Sequence, residues 1–112
     1  MSEPRIVTNN EVQSALDWLR DSAKAIGDAK KRATLAGHML KHVEALMFKA
    51  SDETSNDKRQ ADARTSSRYV DAINEDAEAA GDLAKLYSLR EAAAAKIEAW
   101  RSEQANFRSM KI

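Results

Sequence analysis

The last third of the chain carries the pattern that most narrows what it can fold into. From residue 81 onward Leu83, Leu86, Leu89 or Arg90, Ala93, Ile97, Trp100 and Phe107 recur three or four residues apart. That repeat lines one face of an α-helix and fits no face of a strand. Lys85, Glu91, Lys96, Glu98 and Glu103 fall on the other faces. The block Glu91-Ala92-Ala93-Ala94-Ala95-Lys96 is built from the strongest helix formers. Arg90, Gln104 and Arg108 border or interrupt the stripe. Large apolar anchors with arginines in their seam suit a helix that meets both another helix and something anionic.

The first half repeats the pattern with smaller residues. Val12, Leu16, Leu19, Ala23, Ile26, Ala29, Ala33, Ala36, Leu40, Val43, Met47 and Ala50 keep helical spacing for almost forty residues. The step from Ile26 to Ala29 holds the stripe on one side of a nearly straight helix. Asn9 or Asn10 ahead of Glu11 offers a start, and Gly27 and Gly37 are points where the helix would kink or break. One long helix, or two, is predicted over residues 10–50. Residues 51–57 are short-chained and polar, which predicts a turn, with Asn56 or Asp57 capping the next helix. Residues 58–80 are helical by propensity but poor in large apolar side chains, and Gly81-Asp82 is a candidate break. No strand alternation and no long repeat is present. The predicted fold class is all-α: a long antiparallel helical hairpin of two helices, or three with a break near Gly81. Residues 1–9 are expected to form a flexible N-terminal arm, and residues 10–112 a single domain.

Alanine supplies 21 of the apolar residues, so large apolar side chains are few. Alanine buries little area, and a lone chain of 112 residues would have a thin core. Alanine seams do permit close helix packing. Together these predict a homo-oligomer, with Leu83, Leu86, Tyr87, Ile97, Trp100, Phe107 and Trp18 at its interface. The chain lacks cysteine, so it has neither a disulfide framework nor a thiolate metal site. With no apolar run of membrane-spanning length and no apolar leader, a soluble, cytoplasmic protein without membrane contact is expected.

Little supports catalysis, and no catalytic residue, cofactor or metal is expected. His38 and His42 lie one turn apart, a metal-capable spacing, but lack the glutamate of a His-Glu-x-x-His motif and an evident third ligand. The three glycines are isolated, so no phosphate-cradling loop is present.

Charge says more through its placement than its total. The formal net charge is zero, yet residues 58–68 hold Lys58, Arg59, Arg64 and Arg68 against Asp62 alone. Residues 71–82 hold Asp71, Glu75, Asp76, Glu78 and Asp82 and no base. Lys49 joins the first group across the predicted turn. Arg64 and Arg68, four apart, would face the same way on one helix. Such a cluster can hold a phosphate backbone without reading bases, although ion pairs to neighbouring helices would consume it. Trp100-Arg101 and Phe107-Arg108 each pair an aromatic with an arginine, a combination that stacks on unpaired bases. Packing against Trp18 is the competing role for the aromatics. The candidate nucleic-acid contacts are therefore Lys49, Lys58, Arg59, Arg64, Arg68, Arg101 and Arg108.

Three segments carry a resemblance. They are Lys49…Arg59…Ala63…Ser67-x-Tyr69, then Leu83-x-x-Leu86-x-x-Leu89-Arg90-Glu91-Ala92-Ala93, and Ile97-Glu98-Ala99-Trp100-Arg101-Ser102…Ala105-Asn106-x-Arg108. Over residues 49–110 the chain resembles small helical phage and prophage proteins that accompany single-strand annealing and strand-exchange genes. More distantly it resembles the UvsY-type recombination mediator of T-even phages. The resemblance implies a non-enzymatic, ring-like homo-oligomer that binds single-stranded DNA and helps a recombinase displace the single-strand-binding protein. It places Lys49 as a phosphate-contacting lysine at the end of the first long helix and Arg59 as the basic residue after the turn. The C-terminal Leu/Ile/Trp stripe would be the assembly helix, and the location the host cytoplasm. Neutral overall charge and a shorter loop depart from the mediator pattern.

Two other readings compete. One is a helical interaction module, such as a phage inhibitor of a host defence complex whose acidic residues 71–82 imitate nucleic acid. The other is a structural assembly or virion component.

Overall fold

A computed structural model describes residues 7–110; most of the expected N-terminal arm, residues 1–6, and residues 111–112 lie outside them. The fold is all-α, with α1 (Asn9–Asp21), α2 (Ala23–Ala50), α3 (Asn56–Thr65) and α4 (Ser67–Met110). Among the described residues no helix is long and apolar enough to cross a membrane. Two compact units divide the chain: Met1–Ile26 with Lys85–Ile112, and Gly27–Ala84.

Helix α1 begins at a capping box. The Thr8 hydroxyl accepts from the Glu11 amide at 3.2 Å, and the Thr8 amide donates to the Glu11 carboxylate at 3.1 Å, which satisfies two of the amides a helix start leaves unpaired. The expected cap, Asn9 or Asn10, is one or two residues later. The described end of the expected arm is not loose, because Val7 is buried and its amide donates to Glu103 Oε1 at 3.2 Å. In this first unit α1 runs antiparallel to the C-terminal part of α4, since Val7 reaches Glu103 and Asn9 reaches Trp100. Val12, Ala15, Ser22 and Ala93 are its other buried residues.

The seam between α1 and α2 falls at Ser22, not at either glycine. Ser22 keeps a right-handed helical conformation and donates its amide to the Trp18 carbonyl, while its own carbonyl accepts from Ile26. No glycine has positive φ, and Gly27 and Gly37 lie inside α2. Gly81 likewise sits inside α4, so the break considered there does not occur.

The break in the second half comes at Ser66, and hydroxyl chemistry explains it. Thr65 Oγ1 donates to the Ala61 carbonyl at 2.8 Å, and Ser66 Oγ donates to the Ala63 carbonyl at 2.7 Å while accepting from the Tyr69 amide at 3.2 Å. Side-chain bonds of this kind compete with the main-chain ladder. Ser66 turns extended, at φ −66° and ψ 147°, and caps α4. The turn before α3 spans residues 51–55, shorter than predicted, because Ser55 takes the capping role expected of Asn56 or Asp57.

In the second unit α2 and α4 run antiparallel. Arg32 meets Glu75 and Asp82, Gly37 lies beside Asp76, and Glu44 near the far end of α2 meets Arg64 just ahead of α4. The seam is closed by alanines. Ala36 of α2 and Ala79 of α4 are buried, and Ala63 of α3 is fully so. No large side chain among the described residues is fully buried, while Leu35, Met39, Leu46, Val70 and Ile73 stay exposed. Small residues let the backbones approach but leave the bulky side chains at the rim, where burial contributes only part of the ~1.5–3 kcal/mol a Leu or Ile can give.

Candidate nucleic-acid interface

The candidate basic residues of the second unit lie along α3 and at its two ends. Lys49 is in the last turn of α2, Lys58, Arg59 and Arg64 are on α3, and Arg68 is in the first turn of α4. The expectation that Arg64 and Arg68 share one helix face does not hold. Ser66 interrupts the helix between them, so four residues no longer equal one turn.

The five cations divide by what already holds them. Arg59 donates through Nε to the Glu53 carbonyl at 2.8 Å, and its guanidinium lies 5.7 Å from the centre of the Phe48 ring. It pins the turn to α3. Arg64 pairs with Glu44 across 3.3 Å, tying α3 back to α2. By contrast, Lys49, Lys58 and Arg68 are exposed and have no ion-pair partner among the described residues. Those three present their charge to solvent. Ser51 Oγ donates to Asp62 Oδ2 at 2.6 Å, which holds the acid of this cluster against the turn.

In the first unit the end of α4 carries the aromatic and arginine set. Trp100, Arg101, Gln104 and Arg108 line a shallow open hollow on one side of the helix. Trp100 is half-buried, with its Nε1 donating to Asn9 Oδ1 at 2.9 Å, so the ring is held in place by α1. Arg101 pairs with Glu98 at 3.1 Å, and Arg108 Nε donates to the Gln104 carbonyl at 3.4 Å. Both guanidiniums remain largely in solvent, where such pairs hold them weakly. Phe107 is exposed.

The other expected interface residues have mixed surroundings. Leu83, Leu86, Tyr87, Ile97 and Trp18 are all half-buried. Arg90 lies over the Tyr87 ring at 4.5 Å, so the arginine that interrupts the stripe covers an aromatic on its own helix. His38 and His42 are exposed on α2, and among the described residues no set of three or more His, Cys, Asp or Glu could hold a metal ion.

Compared with protein-family models, curated proteins and solved structures, the chain matches none.

Sequence reading did not anticipate Arg32. Its Nε donates to Glu75 at 2.9 Å and its Nη1 to Asp82 at 2.8 Å, with Glu78 at 4.0 Å. These contacts raise the guanidinium pKa further and hold the Glu75 carboxyl below the usual carboxylate range, chiefly through the Arg32 hydrogen bond. Acids spaced at 75, 78 and 82 were the available signal, but which base of the run Lys30-Lys31-Arg32 answers them becomes readable only once α2 is known to lie beside α4.

Proposed function

We propose that the chain is a non-enzymatic, homo-oligomeric accessory protein of DNA recombination that binds single-stranded DNA through its phosphate backbone. The observation that carries the reading is the trio Lys49, Lys58 and Arg68, exposed at the two ends of α3 and without ion-pair partners among the described residues. Unpaired cations there attract a polyanion by counterion release and read no sequence. The Trp100–Arg101 and Phe107–Arg108 pairs supply stacking surfaces that every base can use. The link to recombination, and to a recombinase or single-strand-binding protein as partner, rests on the resemblance of residues 49–110 to phage accessory proteins.

The interaction-module reading is weaker because part of its acidic face is already engaged. Arg32 sits among Glu75, Glu78 and Asp82 and cancels part of the charge that would imitate nucleic acid.

The test is a gel shift with single-stranded oligonucleotides of graded length at two salt concentrations. Binding that strengthens with length, tolerates sequence and falls steeply with salt is expected. Absence of binding even in dilute buffer would overturn the reading.

A further inference from the structure

The Gly27–Ala84 unit leaves two apolar stripes uncovered, and each runs beside a row of charge of one sign. At ~100° per residue, Leu35, Met39 and Leu46 share one edge of α2; they are 57%, 44% and 43% exposed. Arg32 borders the same edge and reaches across to Glu75 and Asp82 on α4. That contact puts the α2 stripe and the acidic row Asp71, Glu75, Glu78 and Asp82 on one side of the α2–α4 pair.

The opposite side has the reverse arrangement. On α4, Val70 and Ile73 are 44% and 41% exposed and continue into the exposed Ala77, Ala80 and Ala84, at the three-and-four spacing of a helix seam. On α2, Gly37 marks this side, since Asp76 Oδ1 lies 3.6 Å from where a Cβ there would sit. Lys30 and Lys41 flank Gly37 on the helix surface, exposed and without ion-pair partners among the described residues. Helix α3 meets this side at Glu44 and Phe48, beyond Lys41.

One side is therefore largely apolar on α2, where the exposed His42 shares the edge, and acidic on α4, and the other is basic on α2 and apolar on α4. If a second copy is laid on the first with its helices turned end for end, its α4 stripe falls on Leu35, Met39 and Leu46. The same placement sets its Lys30 and Lys41 over the acidic row. Without the turn, each apolar stripe would face charges. The lengths agree as well: Asp71 to Asp82 and Lys30 to Lys41 each span about 16 Å of helix.

We propose that the partner of this surface is a second copy of the chain, docked through these two unlike sides. This rests on the oligomeric part of the function proposed above and names its interface. Because the touching patches differ, the contact is heterologous, and copies add until a ring closes or a fibre grows. A two-fold dimer through either side alone would set like charges or apolar stripes against charged rows.

Sedimentation velocity without DNA tests the assignment, with helicity by circular dichroism confirming that each variant folds. The wild type is expected to exceed the 12.4 kDa of one chain, with mass rising with concentration. Lys30→Glu/Lys41→Glu and Asp71→Lys/Glu78→Lys are each expected to sediment as monomers, since each places like charges at the contact. Their equimolar mixture is expected to regain the wild-type mass, because every contact becomes complementary again. A monomeric wild type overturns the oligomer itself. An oligomeric wild type whose charge-swapped variants keep their mass, or whose mixture fails to recover it, overturns this interface alone, and the gel shift reports on DNA binding independently of both.

Discussion

Asn9 Oδ1 accepts the indole N–H of Trp100 at 2.9 Å, joining the first turn of α1 to a ring 91 residues away. Together with the bond from the Val7 amide to Glu103, it fastens the start of α1 to the last helix of its unit. The aromatic that could stack on a base is thus oriented from behind. That relationship gives the first prediction.

Replacing Asn9 by Ala removes the acceptor and leaves the indole N–H to water. Asn9 is not the cap of α1, which is Thr8, so the helix start stays intact. Chemical denaturation should show a loss of about 1 kcal/mol. If single-stranded DNA stacks on Trp100, its affinity should fall too, as the ring loses its fixed orientation. Unchanged stability would mean that the bond contributes nothing in solution.

Gly81→Ala should stabilise the protein. The glycine is exposed inside α4 without positive φ, and nothing lies within 4 Å of an added Cβ. Alanine in a helix interior is favoured over glycine by about 1 kcal/mol. A thermal melt should shift upward by ~5 °C for a chain of this size. A downward shift would show that the helix needs glycine's freedom at this point.

The Arg32 bracket predicts an acid-sensitive term. Glu75 has a carboxyl held below its ordinary value of 4.5 by the Arg32 hydrogen bond. Since the folded value is the lower one, the contribution is complete above about 4.5 and disappears as pH falls through the folded value. Glu75→Gln should therefore make stability fall less steeply below that pH, while changing little of the slope near neutrality. Both side chains are solvent-exposed, so 0.5 M salt should shrink the difference. Parallel curves for the two proteins in denaturant titrations across that range would rule the bracket out.

Lys49, Lys58 and Arg68 should act differently from Arg59 and Arg64. Changing the first three to Ala should weaken binding to all single-stranded sequences alike. It should also reduce the magnitude of the log–log salt slope by about 2, at ~0.7 per phosphate contact. Arg59→Ala and Arg64→Ala instead remove ties to Glu53, Phe48 and Glu44, so they should lower stability before they lower the salt slope. A salt slope that drops equally in both sets would put all five cations on the phosphates.

Helix content was legible in the chain because it is a local property. The spacing of Leu83, Leu86, Ala93, Ile97 and Trp100, and the alanine block beside it, requires no partner to be read. The breaks were less legible. Glycine was the expected breaker at 27, 37 and 81, yet all three glycines remain helical, and the interruptions fall at Ser22 and Ser66. The run Thr65-Ser66-Ser67 held the clue, since adjacent hydroxyls offer the backbone competing bonds.

Residue spacing alone determined that this protein is all-α, that its seams are alanine, and that its cations gather near the junction after α2. What it could not supply is which cations are engaged. Arg59 and Arg64 match Lys58 and Arg68 in type and neighbourhood, and only the return of α3 toward Glu44 and Phe48 separates them. Arg32 is the same case, because its partners lie more than forty residues away and are chosen by the register of α2 against α4. Helix formation depends on residues within one or two turns, whereas pairing depends on which faces the packing brings together.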